Sequence, residues 1–488
     1  MLRGLSLVLI SAGFLLCSMK AASNYAATVL SDHPTVYYRL GEATRAVAVD
    51  SSVNGHSALY VGGVALGQSG AIDGDSDSSV AFDGNTGYVN SGFDPFSASG
   101  ATIETWVRPT RTSAPSFPQE LIAGILGSTS LTFGRTPGYA QFFIWPTSGR
   151  NAGSATSLGD WQSVQTASPL PMNAWTHLVA TWNDTTKELS IYVNGAISAT
   201  TTLPGITAGE QLGSFPFTVG GFGPTYNQWF QGGIDEVAYY NQALSPQQIL
   251  AHYNAAKGIL VRNGLLSHIA AGGGWNTTIT LVNMSSAPVA ARLVFRADNG
   301  GALSLPLVTR QQGVSQTVTT TQLDRVINPN TTLLVDAGDQ MSATVVGWAE
   351  VLSSGPLGGL AIFRSTPQSG SPSEGTVPLE TQQASTITLP FDNTGGFVMG
   401  VAMVNLSTAY ANITATIWDD NGNQLGTQAI PLVGSGHTAF VLPNQLALTI
   451  GKRGIVQFQS TTAGGLAALG LRFSPFGTFT SIPVILSQ

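Results

Sequence analysis

Two adjacent acids, Asp235 and Glu236, lie in the run "GGIDEVAYYNQALSPQQILAHYNAA", flanked by glycines and followed by a helix signal. Paired carboxylates can act as acid and nucleophile on a glycosidic bond, or as oxygen ligands for a hard cation. A retaining glycosidase pair needs its carboxyl groups about 5–5.5 Å apart on one side of the substrate. Neighbours on a regular strand point to opposite sheet faces, so strand geometry predicts that these two cannot form that couple. Other chemistries find less support. There is no Gly-x-Ser-x-Gly elbow, and the six histidines (33, 56, 177, 252, 268 and 437) never fall at metal-ligand spacing. The acidic run "DGDSDSS" (73–79) lacks EF-hand spacing and reads as a solvated loop. "GGGW" (272–275) precedes no phosphate-binding helix and reads as a turn leading into a strand.

The elements that must position these acids are strands. Only 9% of the 488 residues are charged, 57 are Gly, and 43% are hydrophobic. That balance suits short strands and many turns. The opening "MLRGLSLVLISAGFLLCSMKAAS" has a basic start, a short apolar core and a small-residue end, the pattern of an export signal over residues 1–23. It contains the single cysteine, Cys17, so the mature chain is expected to fold without disulfides. Without Arg3 and Lys20 the balance is 17 Lys+Arg against 26 Asp+Glu, a net −9. This predicts no nucleic-acid partner, and no later run is long and apolar enough to span a bilayer.

Residues 24–257 alternate β-type runs with turn residues. "ATIETWVRPT" puts Ile103, Thr105 and Val107 on one face and Glu104, Trp106 and Arg108 on the other. "THLVATWND" and "LSIYVNGA" predict an antiparallel hairpin, closed on the far side by Asn194-Gly195. A helix is expected at 245–256, with Ser245 and Gln248 as a capping box, Pro246 at its first position, an apolar stripe of Ile249, Leu250 and Tyr253, and Gly258 ending it. "KGILVRNG" then reads as a linker. The rest repeats itself. Trp275 and Asn283 align with Phe397 and Asn405, and "DNG" at 298 with "DNG" at 420, all 122 residues apart. Arg364 aligns with Arg472 at a spacing of 108. Two tandem β-sandwiches are expected, 258–380 and 381–488, immunoglobulin-like in size. Matching residues in tandem copies point to upkeep of the fold.

"TVYYRLGE" (35–42), "SSVAFDGNTGYVN" (78–90), "TIETWVRPT", "AWTHLVATWNDTTKELSIYVNG" (174–195) and "GGIDEVAYYNQALSPQQI" together resemble the concanavalin A-like, laminin G-type jelly roll. The resemblance covers most of residues 27–256. It implies a two-sheet sandwich of a kind common on secreted bacterial proteins, many of which bind sugars or other surface partners. Trp106, Trp175 and Trp182 match its scaffold positions. Catalytic relatives carry a Glu-x-Asp-x-x-Glu strand, and here no Glu has an Asp two residues later. The resemblance also implies a structural Ca²⁺, with Asp235, the Asp83–Gly84 turn and Glu42 as its ligands.

The fold expected is therefore all-β: a laminin G-like jelly roll followed by two tandem immunoglobulin-like β-sandwich modules. The function expected is a secreted, non-catalytic protein that binds carbohydrate or a cell-surface partner. A glycan-processing enzyme and a purely structural surface protein are the alternatives. Aromatic rings on loops beside amides and charges suit sugar recognition, which selects Trp145, Arg150, Trp161, Tyr226 and Trp229 as a binding rim.

Overall fold

The computed structural model describes residues 25–44, 46–97, 99–113, 119–145, 161–206, 208, 215–285, 288–338, 341–367, 372–462 and 465–487. The expected signal segment lies outside them. Among the described residues, the chain up to 257 forms two antiparallel sheets face to face. The first sheet runs Ala196–Thr202, Glu188–Val193, Thr176–Asn183, Gly100–Pro109, Gln231–Tyr240, Ser78–Asp83, Val64–Ser69, with Val36–Tyr38 also paired to Gln231–Tyr240. The second runs Gln162–Gln165, Ala140–Ile144, Thr129–Phe133, Glu120–Ile125, Phe217–Val219, Tyr88–Asn90, Ala58–Val61, Val47–Ala48.

Alternation decides what lies between the sheets. Ile103, Val107, Leu189 and Ile191 join the main core with Leu131, Phe142 and Ile144 of the second sheet. The hairpin forms as its pattern predicts, with Trp182 opposite Leu189, and Asn194 and Gly195 take left-handed φ of 52° and 78° at the turn from Glu188–Val193 into Ala196–Thr202. The first sheet buries its other face as well. Trp106, Tyr192, Ala238 and Tyr240 pack beneath the helices Tyr25–Ser31 and Pro246–Lys257 in a second, smaller core.

The capping box of the second helix is present, and Gly258 closes it at φ 62°. Its buried stripe differs from the expected one. Ile249, His252, Ala255 and Ala256 face inward, whereas Leu250 is 47% exposed. A buried carboxylate beneath the helix draws the histidine in. The expected linker is also partly strand, since Val261 and Arg262 pair with Ser353 and Leu352 at the start of Val261–Ala271. Glycines 272, 273 and 274 then turn the chain at φ 78°, 58° and 92°, a path that costs residues with a Cβ far more.

Two further sandwiches follow. The first pairs the sheet Val261–Ala271, Val345–Ser353, Val289–Ala297, Gln322–Ile327 with Val314–Thr320, Leu305–Gln311, Thr331–Ala337, Trp275–Asn283, Gly358–Ser365, Ser373–Pro378. The second pairs Gln424–Leu432, Ala411–Asp419, Arg453–Gln459, Thr386–Asp392, Ile485–Ser487 with His437–Val441, Val398–Asn405, Leu466–Phe473, Phe479–Ile482. The aligned asparagines do the same work in both. Asn283 and Asn405 are fully buried, and each accepts the amide two residues on while donating to a carbonyl at the far end of its sandwich. The sandwiches also pack on each other: Ala402, Leu469 and Leu471 of the second enter the core of the first.

Candidate functional site

Asp235 and Glu236 sit at a β-bulge. Asp235 is opposite Trp106 but Ala238 is opposite Glu104, so one extra residue is inserted, and Glu236 takes φ 54°. The extra residue breaks the two-residue period. Asp235 Oδ2 accepts the Ala71 amide at 2.8 Å, and Glu236 accepts from the Tyr37 hydroxyl; Ala71 and Tyr37 both belong to the core beneath the helices. The expectation of opposite faces is therefore corrected: the bulge turns both carboxylates to one side. Neither meets solvent, at 2% and 1% exposure. Burial first, then the neighbouring Glu236 charge, pushes the Asp235 carboxyl well above its usual range. Burial raises Glu236 to about 7, although Arg39 works against the rise.

The expected calcium ligands are not gathered. Asp83 pairs with Gln231, four residues before Asp235 on the same strand, which separates the two by roughly 13 Å. Its carboxylate accepts the amides of Asn85, Thr86 and Gly87 in its own turn, which hold it down at about 2 despite slight burial. The Gly84 carbonyl faces the guanidinium of Arg111 at 3.3 Å. Glu42 is engaged by the Val49 amide and the Tyr60 hydroxyl. Of the four expected ligands, Asp235 alone keeps a buried oxygen, Oδ1, without a hydrogen-bond partner among the described residues. The nearby acids already have a cation: Arg39 Nη2 reaches Asp75 at 2.8 Å, Asp77 at 3.0 Å and Glu236 at 3.0 Å. The set as expected does not fit a calcium ion. Among the described residues, no group of three or more metal-ligating side chains forms. The "DGDSDSS" run is correspondingly less solvated than its composition suggests, because Arg39 ties Asp75 and Asp77 to the sheet.

The expected binding rim divides in two. Trp145 hydrogen-bonds through its amide to the Ser128 carbonyl, past the Ile125 end of its sheet. Trp229 lies at the other end, where Leu121 donates to the Gln228 carbonyl. The strand Glu120–Ile125 separates them by about 17 Å. Trp229 is only 8% exposed, tucked against Gly221 and the Tyr88 ring at 5.9 Å, while Tyr226 is exposed. Arg150 lies outside the described residues.

Trp145 and Trp161 do come together. Their ring centroids are 4.7 Å apart, Phe143 stands edge-on to Trp161 at 5.0 Å, and the Arg135 guanidinium lies 5.5 Å from the Trp161 ring. Strand register extends this group into a face. Phe143 lies between Ser130 and Ser163, and Gln141 between Thr132 and Gln165. This is the face of the second sheet turned away from the main core. Three polar atoms here are buried without a partner: Ser128 Oγ, Gln141 Oε1 and Trp145 Nε1. Such atoms each cost about 1–3 kcal/mol unless something else satisfies them. The half-buried rings of Trp145 and Trp161 can stack on a sugar, and the accessible Gln141, Ser163 and Gln165 can read its hydroxyls. An alternation count through residues 129–145 finds this face in the sequence, with Ser130 and Thr132 opposite in parity to Leu131 and Phe133, and Gln141 and Phe143 to Phe142 and Ile144.

Sequence reasoning also missed a buried network beneath the helices. Glu104, fully buried, accepts from the Tyr25 hydroxyl at 2.9 Å and the Tyr240 hydroxyl at 3.1 Å, and contacts His177 Nε2 at 2.9 Å and His252 Nδ1 at 2.8 Å. His252 Nε2 reaches Asp32 at 2.9 Å. Burial alone would depress His252, but Glu104 and Asp32 reverse that and raise it to about 9. The network clamps both helices to the sheet and has no route to solvent through Glu104. The scaffold tryptophans 106 and 182 are fully buried, and Trp175 lies under the Arg108 guanidinium at 4.9 Å.

Fold and site together define a concanavalin A-type jelly roll, braced by buried ion pairs and carrying an aromatic, hydroxyl-rich sheet face. Residues 83–250 match the model of the concanavalin A-like lectin/glucanases superfamily. No curated protein matches the chain. Among solved structures, a candidate carbohydrate-binding protein from Bacteroides ovatus ATCC 8483 shares 20% identity over 36% of this chain, at a TM-score of 0.28; the chain spans 48% of it, about half its length. Domain 4 of AbnA, an extracellular arabinanase from Geobacillus stearothermophilus, in complex with arabinotriose, shares 18% identity over 46% of this chain and 98% of its own, at 0.33. The binding domain of Paraclostridial mosquitocidal protein 1 shares 13% over 88% and 92%, at 0.35.

Proposed function

We propose that this protein is an exported, non-catalytic binding protein whose jelly roll recognises carbohydrate on the outer face of its second sheet. The observation that carries the reading is the meeting of the half-buried Trp145 and Trp161 rings at 4.7 Å beside the accessible side chains of Gln141, Ser163 and Gln165. The superfamily matched by residues 83–250 includes lectins in its description, which agrees with this reading. Burial of Asp235 and Glu236 supports the non-catalytic part, since no substrate reaches carboxylates at 2% and 1% exposure. Export rests on the opening segment, residues 1–23, with its basic start, apolar core and small-residue end.

A glycan array probed with the full chain tests the proposal. Binding should fall about tenfold in the Trp145→Ala/Trp161→Ala pair, the loss of about 1.4 kcal/mol of stacking. Equal binding by that pair removes the assignment to this face. Release of reducing ends from mixed polysaccharides would replace binding with catalysis.

A further inference from the structure

The second C-terminal sandwich has a sheet face that nothing so far explains. Ile413, Ala415 and Ile417 point into its core, as do Val456, Phe458, Ile387 and Leu389. The intervening residues therefore face outward and line up across three strands. Trp418 pairs with Ile455, which pairs with Pro390. The next row is Thr416, Gln457 and Thr388, and beyond it lie Thr414 and Gln459. These rows carry no charge. Among the described residues, none of those threonine and glutamine side chains has an internal hydrogen-bond partner. At the tryptophan end lies an open cleft of 530 Å³, lined by Trp418, Phe391, Asp420, Arg453 and Ile455. Its charged members are largely engaged already: Arg453 contacts Asp392 and Thr394, each at 3.2 Å, and Asp419 accepts the amides of its own turn.

Folding does not require this composition. The first sandwich pairs its equivalent strands in the same way, yet 122 residues before Trp418 it has Arg296, opposite Trp348. Its face is laced with ions, Arg292 to Asp324 at 2.6 Å and Arg262 and Arg296 to Glu350. That end is also covered, because Trp348 Nε1 donates to Ser435 of the second sandwich at 2.9 Å. The neutral face of the second sandwich is left open.

We propose that this face is a platform for a neutral polysaccharide chain. The Trp418 ring stacks on the C–H face of a sugar at the cleft, and the threonine and glutamine rows read hydroxyls of the following residues. From Trp418 to Thr414 the strand covers roughly 13 Å, on the order of a short oligosaccharide. A neutral ligand follows from the absence of charge on the rows: a polyanion would find no cation there beyond Arg453. The platform repeats the chemistry of the jelly-roll face but does not depend on it.

Affinity electrophoresis of the full chain separates the two. In a Trp145→Ala/Trp161→Ala background, migration is followed in gels holding a neutral β-glucan, arabinan, xylan or mannan, with polygalacturonate as the anionic control. Retention in at least one neutral gel is expected, little changed by raised salt. Trp418→Ala should weaken it about tenfold, and Thr416→Ala/Gln457→Ala should weaken it less while leaving the aromatic end intact. Retention in no neutral gel, retention in polygalacturonate alone, or retention undiminished by either variant overturns the platform. None of these outcomes decides the jelly-roll face, which is already weakened about tenfold in this background and is untouched by the Trp418, Thr416 and Gln457 substitutions.

Discussion

The jelly roll and the paired sandwiches each bury histidine against histidine-binding partners, and the two sites titrate in opposite directions. Beneath the jelly-roll helices, His252 lies between Glu104 and Asp32 and is raised to about 9, against the effect of its burial. Between the sandwiches, His268 Nδ1 faces His437 Nε2 at 3.2 Å, and burial together with that neighbour lowers it to about 3. Burial works against the charged form at both. What differs is the partner: a carboxylate on His252, a second imidazole on His268. His437 in turn bonds Asp298 of the first sandwich at 2.8 Å, so the carboxylate sits one residue too far away to rescue His268. The sign is set by the balance of burial and partners: His177, which touches Glu104 but not Asp32, is still lowered by its burial.

The largest test of this contrast removes the carboxylate. Glu104→Ala leaves His252 and His177 buried without their shared acceptor, and breaking such a pair by removing one partner costs about 3–5 kcal/mol. The urea midpoint of the jelly-roll transition should fall accordingly. A loss below about 1 kcal/mol would mean that the charges are not what clamps the helices, and the contrast would fail.

Proton linkage gives the next effect, with opposite slopes. Between about pH 6.5 and 9 the folded jelly roll holds a proton on His252 that the unfolded chain has released. The contribution of His252 is thus complete below 6.5 and lost as pH rises, by up to about 1.4 kcal/mol per unit, and Glu236, raised to about 7, adds a loss of the same sign between its ordinary range and 7. For His268 the unfolded chain binds the extra proton between about 3 and 6.5, so stability is lost as pH falls. Glu380, packed near the same joint and raised by burial to about 7, opposes that slope between its ordinary range and 7. The wild-type profile therefore mixes the two, and His268→Phe separates them. The stability of His268→Phe relative to wild type should grow as pH falls from 6.5 toward 3, while the two run parallel above 7. Parallel profiles throughout would place no titration at His268.

Much of this architecture was legible because its signals are local. The capping box of Ser245 and Gln248, the Asn194-Gly195 turn and the alternation of Ile103 to Arg108 all lie within a few residues. The repeat was legible because Asn283 and Asn405 must each tie off a sandwich end. What stayed hidden depends on contacts across the chain. Glu104 and His252 are 148 residues apart, and His268 and His437 are 169 apart, so no spacing rule could join them. The bulge at Glu236 was hidden for a different reason: a glutamate at φ 54° carries none of the glycine signal that usually marks such a site. Missing it gave the wrong faces for Asp235 and Glu236. The binding rim split because the three strands between residues 120 and 144 were not counted, and their length carries Trp145 away from Trp229.

The smallest effect is expected from removing calcium. Around the jelly-roll bulge several carboxylates have a protein cation at hand: His252 for Glu104, and Arg39 for Glu236, Asp75 and Asp77. An added ion would have to displace Arg39 or make do with the single free oxygen of Asp235, whereas calcium takes about 6–8 oxygens. Excess chelator should therefore leave the melting midpoint of the full chain unchanged, and added Ca²⁺ should not raise it. A specifically bound ion stabilises the folded state by mass action, so a midpoint that drops with chelator and recovers with Ca²⁺ would show that Asp235 recruits one with main-chain oxygens. Asp235→Asn then decides the matter, because it keeps the acceptor for the Ala71 amide while removing the charge an ion would need.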